Sequence, residues 1–128
     1  MRIETLALAL GGICFLGFGA VMLVSPQATM AHLGVMVPDG PATTEIRSFY
    51  GGLELGLGML MLAALKKVQY RRAGLVLGAA TYGSVAGARA LGMLIDRSSS
   101  GFLWMALAVE IALVLLFLVA LKRNGRSR

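Results

Sequence analysis

Four apolar stretches, each about 20 residues long, limit what this chain can fold into. They run over Leu6–Val24, Thr44–Leu65, Ala73–Ile95 and Gly101–Leu121. At about 1.5 Å of rise per residue, a helix of that length crosses a hydrocarbon core. The stretches are continuous rather than alternating, and rich in Leu, Ala, Met and Gly, so helices fit them better than strands do. Helices also satisfy their own backbone hydrogen bonds within a bilayer. Composition agrees: 58% of the 128 residues are hydrophobic and 14% are charged, against about 25% charged in ordinary soluble domains. The expected fold is one all-α domain covering residues 1–128, an integral membrane antiparallel four-helix bundle.

The flanks orient the bundle. Lys66, Lys67, Arg71 and Arg72 crowd the second connection, and Lys122, Arg123, Arg126 and Arg128 crowd the tail. The first connection has His32 and Asp39 but no Lys or Arg, and in the third Asp96 offsets Arg97. Basic residues gather on the cytoplasmic side, so both termini and the second loop are predicted there. The expected setting is a bacterial cytoplasmic (inner) membrane, crossed several times. The +6 net charge is then an orientation signal and an attraction to anionic lipid. No basic surface interleaved with stacking aromatics is visible, which argues against nucleic acid. The first stretch exceeds the usual 7–15-residue apolar region of a signal peptide and lacks a clean cleavage site, so a retained helix is expected.

The longest connection, Ser25 to Thr43, begins with Pro26 and closes on the breakers Pro38, Gly40 and Pro41. Between them, Ala28–Val37 has Met30, Leu33 and Val37 on one side, the pattern of a short interfacial helix on the outer leaflet. His32 sits in it, either as a solvated histidine or as a ligand-gating one. Ser98, Ser99 and Ser100 read as a plain turn.

The informative residues are the charges inside oil. Arg47 and Glu54 lie in the second stretch, Arg89 in the third and Glu110 in the fourth. Each costs about 2.5–3.5 kcal/mol at a helix centre, so they need partners or water. Their signs sum to zero. From the outer boundary, Arg47, Arg89, Glu110 and Glu54 fall at depths of about 4, 9, 13 and 15 Å. Arg47 and Glu54 share an α-helical face with Tyr50 between them, and Tyr82 lies on the face of Arg89. The expected arrangement is a polar nest in the outer half, with Arg89 bridging Glu54 and Glu110 and Arg47 above them. The first loop would cover it. Gly52 and Gly56, Gly74 and Gly78, and Gly83 and Gly87 form small-xxx-small pairs that let helices approach closely. No catalytic triad, phosphate loop, zinc spacing or dinucleotide fingerprint occurs, and the single Cys14 has no partner, so no metal or cofactor is expected.

The segment Glu45-Ile46-Arg47-Ser48-Phe49-Tyr50-Gly51-Gly52-Leu53-Glu54-Leu55-Gly56 resembles the signature of an uncharacterised bacterial four-helix membrane family, a domain of unknown function allied to the DoxX-like proteins. The likeness extends over nearly the whole chain and includes Arg89 and Glu110. It implies a four-helix bundle and no settled activity. Some DoxX-type relatives are linked to quinone-dependent sulfur oxidation, chemistry for which this chain has no second cysteine.

Three functions compete. The first is binding of a lipid or other amphiphilic small molecule, its head on Arg47, Tyr50, Glu54, Tyr82, Arg89 and Glu110, with His32 at the cover. The second is an accessory subunit of a larger membrane complex, or a homo-oligomer, in which the charges serve assembly. The third is an isomerase-like enzyme that uses the two carboxylates as acid and base. Transport is weaker, since the paired discontinuous helices of transporters are missing. The binding reading is preferred, and catalysis is left open with a leaning against it.

Overall fold

The computed structural model describes residues 2–126, and every regular element among them is helical. In chain order these are α1 (Ile3–Val24), α2 (Pro26–Ala31), α3 (Pro41–Ile46), a π-helical segment (Arg47–Gly52), α4 (Leu53–Lys66), α5 (Val68–Ile95) and α6 (Gly101–Arg126). The all-α reading holds. Arg128, part of the predicted basic tail, lies outside the described residues.

Three helical runs are long and apolar enough to cross a membrane: Ile3–Val24, Pro41–Lys66 and Gly101–Gly125. Most of their residues are not buried inside the protein, and apolar surface on that scale points to a membrane protein. With 28 residues α5 has the length, but glycines, Thr81, Tyr82, Ser84 and Arg89 dilute its hydropathy. What it loses against lipid it recovers against neighbours. It packs on α4, α6 and α1, and Leu75, Tyr82 and Ala86 are buried.

Glycines set how closely the helices approach. A Cβ on Gly19 of α1 would stand 2.9 Å from the Gly51 carbonyl oxygen and 2.9 Å from the Leu55 nitrogen. About two turns earlier on α1, a Cβ on Gly58 would come within 2.8 Å of the Gly12 carbonyl oxygen. Backbone lies against backbone there, so only glycine fits. Across the core, Gly11 and Gly78 admit the fully buried ring of Phe117. Tyr82 stacks between Phe15 and Phe117, with ring centroids 4.5 and 5.9 Å away. Of the predicted glycine pairs, Gly74 and Gly78 meet neighbours, whereas Gly52, Gly56, Gly83 and Gly87 have none closer than 3.9 Å.

Several boundaries move outward from the predicted ones. The second long helix begins at Pro41, three residues before Thr44, because proline's fixed φ suits the first helical position. The Lys/Arg-rich connection shrinks to Lys67, and Arg71 and Arg72 fall inside α5. The interfacial helix expected over Ala28–Val37 is shorter and earlier. It ends at Ala31, and the chain turns through Gly34 at φ +76°, a conformation that glycine adopts without strain. The serines do more than turn: Ser100 Oγ accepts the Leu103 N–H at 3.2 Å as an N-cap of α6, and Ser99 Oγ accepts the Trp104 indole N–H at 3.0 Å.

Candidate functional site

Three of the four charges, Glu54, Arg89 and Glu110, gather in one cleft lined by α1, α4, α5 and α6. Arg89 on α5 grips Glu110 on α6 with two nitrogens. Its Nε donates to Oε2 at 2.9 Å and to Oε1 at 3.0 Å, and Nη2 donates to Oε1 at 2.5 Å. A planar guanidinium suits such a two-pronged hold on a carboxylate, which fixes both side chains as well as neutralising them. Glu110 is buried at 8% exposure, so the pair must be close to complete to be tolerated.

Beside this pair lies a cleft of about 310 Å³. Its polar groups are Glu54 from α4, Tyr82 and Arg89 from α5, and Glu110 from α6. Its walls are apolar. The α6 wall, Phe102, Met105, Ala106, Val109, Glu110 and Leu113, is one helical stripe at spacings of three and four. The α1 wall is Cys14, Phe15 and Phe18. Phe18, Phe102, Met105 and Val109 are exposed, so the cleft opens sideways toward the lipid-facing surface. Its volume is at the small end of ligand clefts, which run to about 300–1,000 Å³.

Glu54 differs from its neighbours. Among the described residues it has no hydrogen bond or ion pair, although it is half-buried. It also lines a second, shallower groove of about 420 Å³ with Glu45, Ile46, Phe49, Tyr50 and Leu53. Glu54 therefore stands at the join of two hollows.

Of the predicted site residues, the fold brings Glu54, Tyr82, Arg89 and Glu110 to one cleft. The expected bridge is only half made, since Arg89 engages Glu110 alone among the described residues. Tyr82 lines the cleft, but its hydroxyl donates to the Gly11 carbonyl at 2.7 Å and ties α5 to α1. Tyr50 faces the shallower groove. Arg47 is elsewhere: its Nε donates to the Leu23 carbonyl at 3.0 Å. It satisfies one of the carbonyls that the end of α1 leaves open, where a cation also suits the helix dipole.

A π-helical segment lies between Arg47 and Glu54. The Leu53 N–H reaches back five residues to the Ser48 carbonyl, which widens the turn. Arg47 and Glu54 both still meet α1, but at different heights: Arg47 reaches Leu23 at its end, and the Glu54 Cβ lies beside Gly19 about one turn earlier. His32 is exposed at the end of α2, and no residue of the 25–43 loop lines the cleft. That loop is latched to itself. Gln27 donates to the Asp39 carboxylate at 2.8 Å and Thr43 to the Pro38 carbonyl at 2.8 Å.

Sequence reasoning missed Cys14, Phe15, Phe18, Phe102 and Met105. On α1 only Cys14 interrupts the apolar run near the cleft, whereas on α6 Glu110 marks the inward face, and steps of four back from it reach Ala106 and Phe102. Among the described residues no group of His, Cys, Asp and Glu is arranged to hold a metal ion.

No curated protein and no solved structure matches the chain. The family model described as a domain of unknown function, DUF4345, matches residues 3–121, which hold every residue of the cleft, and the chain belongs to that family.

Proposed function

We propose that this protein is an antiparallel four-helix bundle of the bacterial cytoplasmic membrane, with both termini on the cytoplasmic side. Its cleft binds an amphiphilic, lipid-like small molecule. The observation that carries this reading is the combination of an ionic floor and an apolar, sideways-open wall in one hollow between four helices. A polar head would rest beside Glu54 and the Arg89–Glu110 pair. The tail would leave between α1 and α6 into the lipid. Clefts with a few convergent polar groups and apolar sides suit such molecules, and ionisable groups within membranes point to function by default.

The geometry favours binding over proton-transfer catalysis. Both oxygens of Glu110 are engaged by Arg89, so the second carboxylate of an acid–base pair is not free to exchange protons with a substrate. An accessory-subunit or homo-oligomer role draws on a separate observation, the open faces at Gly56 and Gly87, where another helix could approach closely.

Native mass spectrometry of protein extracted in a mild detergent tests the binding reading. A retained small amphiphile is expected in near-stoichiometric amount, lost or weakened in Val109→Trp, which fills the cleft. Protein that carries no such molecule, or an equal load in wild type and Val109→Trp, contradicts it.

A further inference from the structure

The charge balance around Glu54 is uneven. In the cleft, Glu54 and Glu110 face one cation, Arg89, and that cation is committed to Glu110. In the adjoining groove Glu45 and Glu54 are lining residues and no Lys, Arg or His is. The nearest basic residue along the chain, Arg47, uses its Nε on the Leu23 carbonyl. Both hollows that meet at Glu54 thus hold more acid than base. A carboxylate half-removed from water and without a donor is an unmet acceptor, with room for two to four hydrogen bonds. Leaving it so is costly, and a donor with positive charge makes the strongest bond to it.

Building on the proposal that the cleft holds an amphiphile, we infer that its head is an alkylammonium, seated on Glu54, and that anionic heads are turned away. An anion would meet Glu54 and a cation whose Nε and Nη2 Glu110 already holds, and competing for that cation would weaken the hold on a buried carboxylate. A cation completes the balance and disturbs no existing pair. The small volume suits a head and its first few carbons, with the rest of the tail passing Phe18, Met105 and Val109.

Cys14, the only cysteine, lines the cleft and is exposed, so its alkylation by a lipid-soluble maleimide reports occupancy. The probes are dodecylammonium, dodecanol, dodecanoate and phosphatidylethanolamine, each added to wild type and to Glu54→Gln in dodecyl maltoside micelles. Dodecylammonium is expected to protect Cys14 at about tenfold lower concentration than dodecanoate in wild type, the factor that one charge-assisted hydrogen bond supplies. In Glu54→Gln that preference disappears while dodecanol still protects Cys14, which shows the variant's cleft open to a chain. Protection by phosphatidylethanolamine matching that by the amine identifies a phospholipid as the source of the ammonium, and protection by the amine alone identifies a single-chain amine. Dodecanoate protecting as well as the amine, or a preference that survives in Glu54→Gln, overturns the inference and leaves amphiphile binding standing. Failure of all four probes to protect wild type overturns both.

Discussion

At the scale of single residues, two side chains carry most of the account. The Arg89–Glu110 pair is a buried ion pair, for which removing one partner costs more than removing both. Arg89→Leu strands Glu110 and is expected to destabilise by about 3–5 kcal/mol, as large as effects of this type become. The double variant Arg89→Leu, Glu110→Leu should recover much of that loss. Thermal unfolding midpoints in one detergent check this, and a double variant less stable than the single one contradicts it. Tyr82→Phe retains the ring between Phe15 and Phe117 and loses only the bond to the Gly11 carbonyl. A loss of about 1 kcal/mol is expected by the same measurement. These residues were legible in the sequence because a charge or hydroxyl in an apolar run must be answered by something. Which partner answers it was not legible. Arg89 had two carboxylates within the same range of depth, and the choice of Glu110 depends on side-chain directions that helical spacing leaves open.

At the scale of elements, glycine placement and one wide turn decide the packing. Gly19→Ala puts a methyl group against the backbone at Gly51 and Leu55, which cannot yield as a side-chain end can. It is expected to destabilise by about 1–3 kcal/mol. Gly56→Ala meets nothing within 4 Å and should be neutral or stabilising by up to about 1 kcal/mol, since alanine is the better helix former. Unfolding of both variants under identical conditions checks the contrast, and equal effects would remove the claim that α1 and α4 meet backbone to backbone. Spacing offered two sets, the pair Gly52 and Gly56 and the pair Gly51 and Gly58 on the face of Arg47 and Glu54, and it is Gly51 and Gly58 that touch α1. Which of the two faces turns to α1 is not written in the spacing, and the π-helical segment Arg47–Gly52 adds a wide turn before α4. A regular 3.6-residue repeat has no means of announcing such a turn. Arg47 sits at the end of α1 rather than in the expected nest.

At the scale of the whole molecule, the hydrophobic runs made the helices legible, and the α1 wall of the cleft remained hidden because almost nothing polar marks a face of that helix. The proposed orientation has its own test, made in a Cys14→Ser background. A membrane-impermeant maleimide should label Ser99→Cys on intact cells and Lys67→Cys only after permeabilisation, since α5 separates these positions. Labelling of both from the same side would mean that α5 does not cross. The central claim, that an amphiphile occupies the cleft beside Arg89 and Glu110, is tested most directly by crosslinking. A long-chain amine with a photoreactive group near its head, irradiated with the protein in nanodiscs and mapped by peptide sequencing, should label Cys14–Phe18 and Phe102–Leu113. Adducts spread evenly over the outward faces, including Leu60 and Leu115, would contradict it.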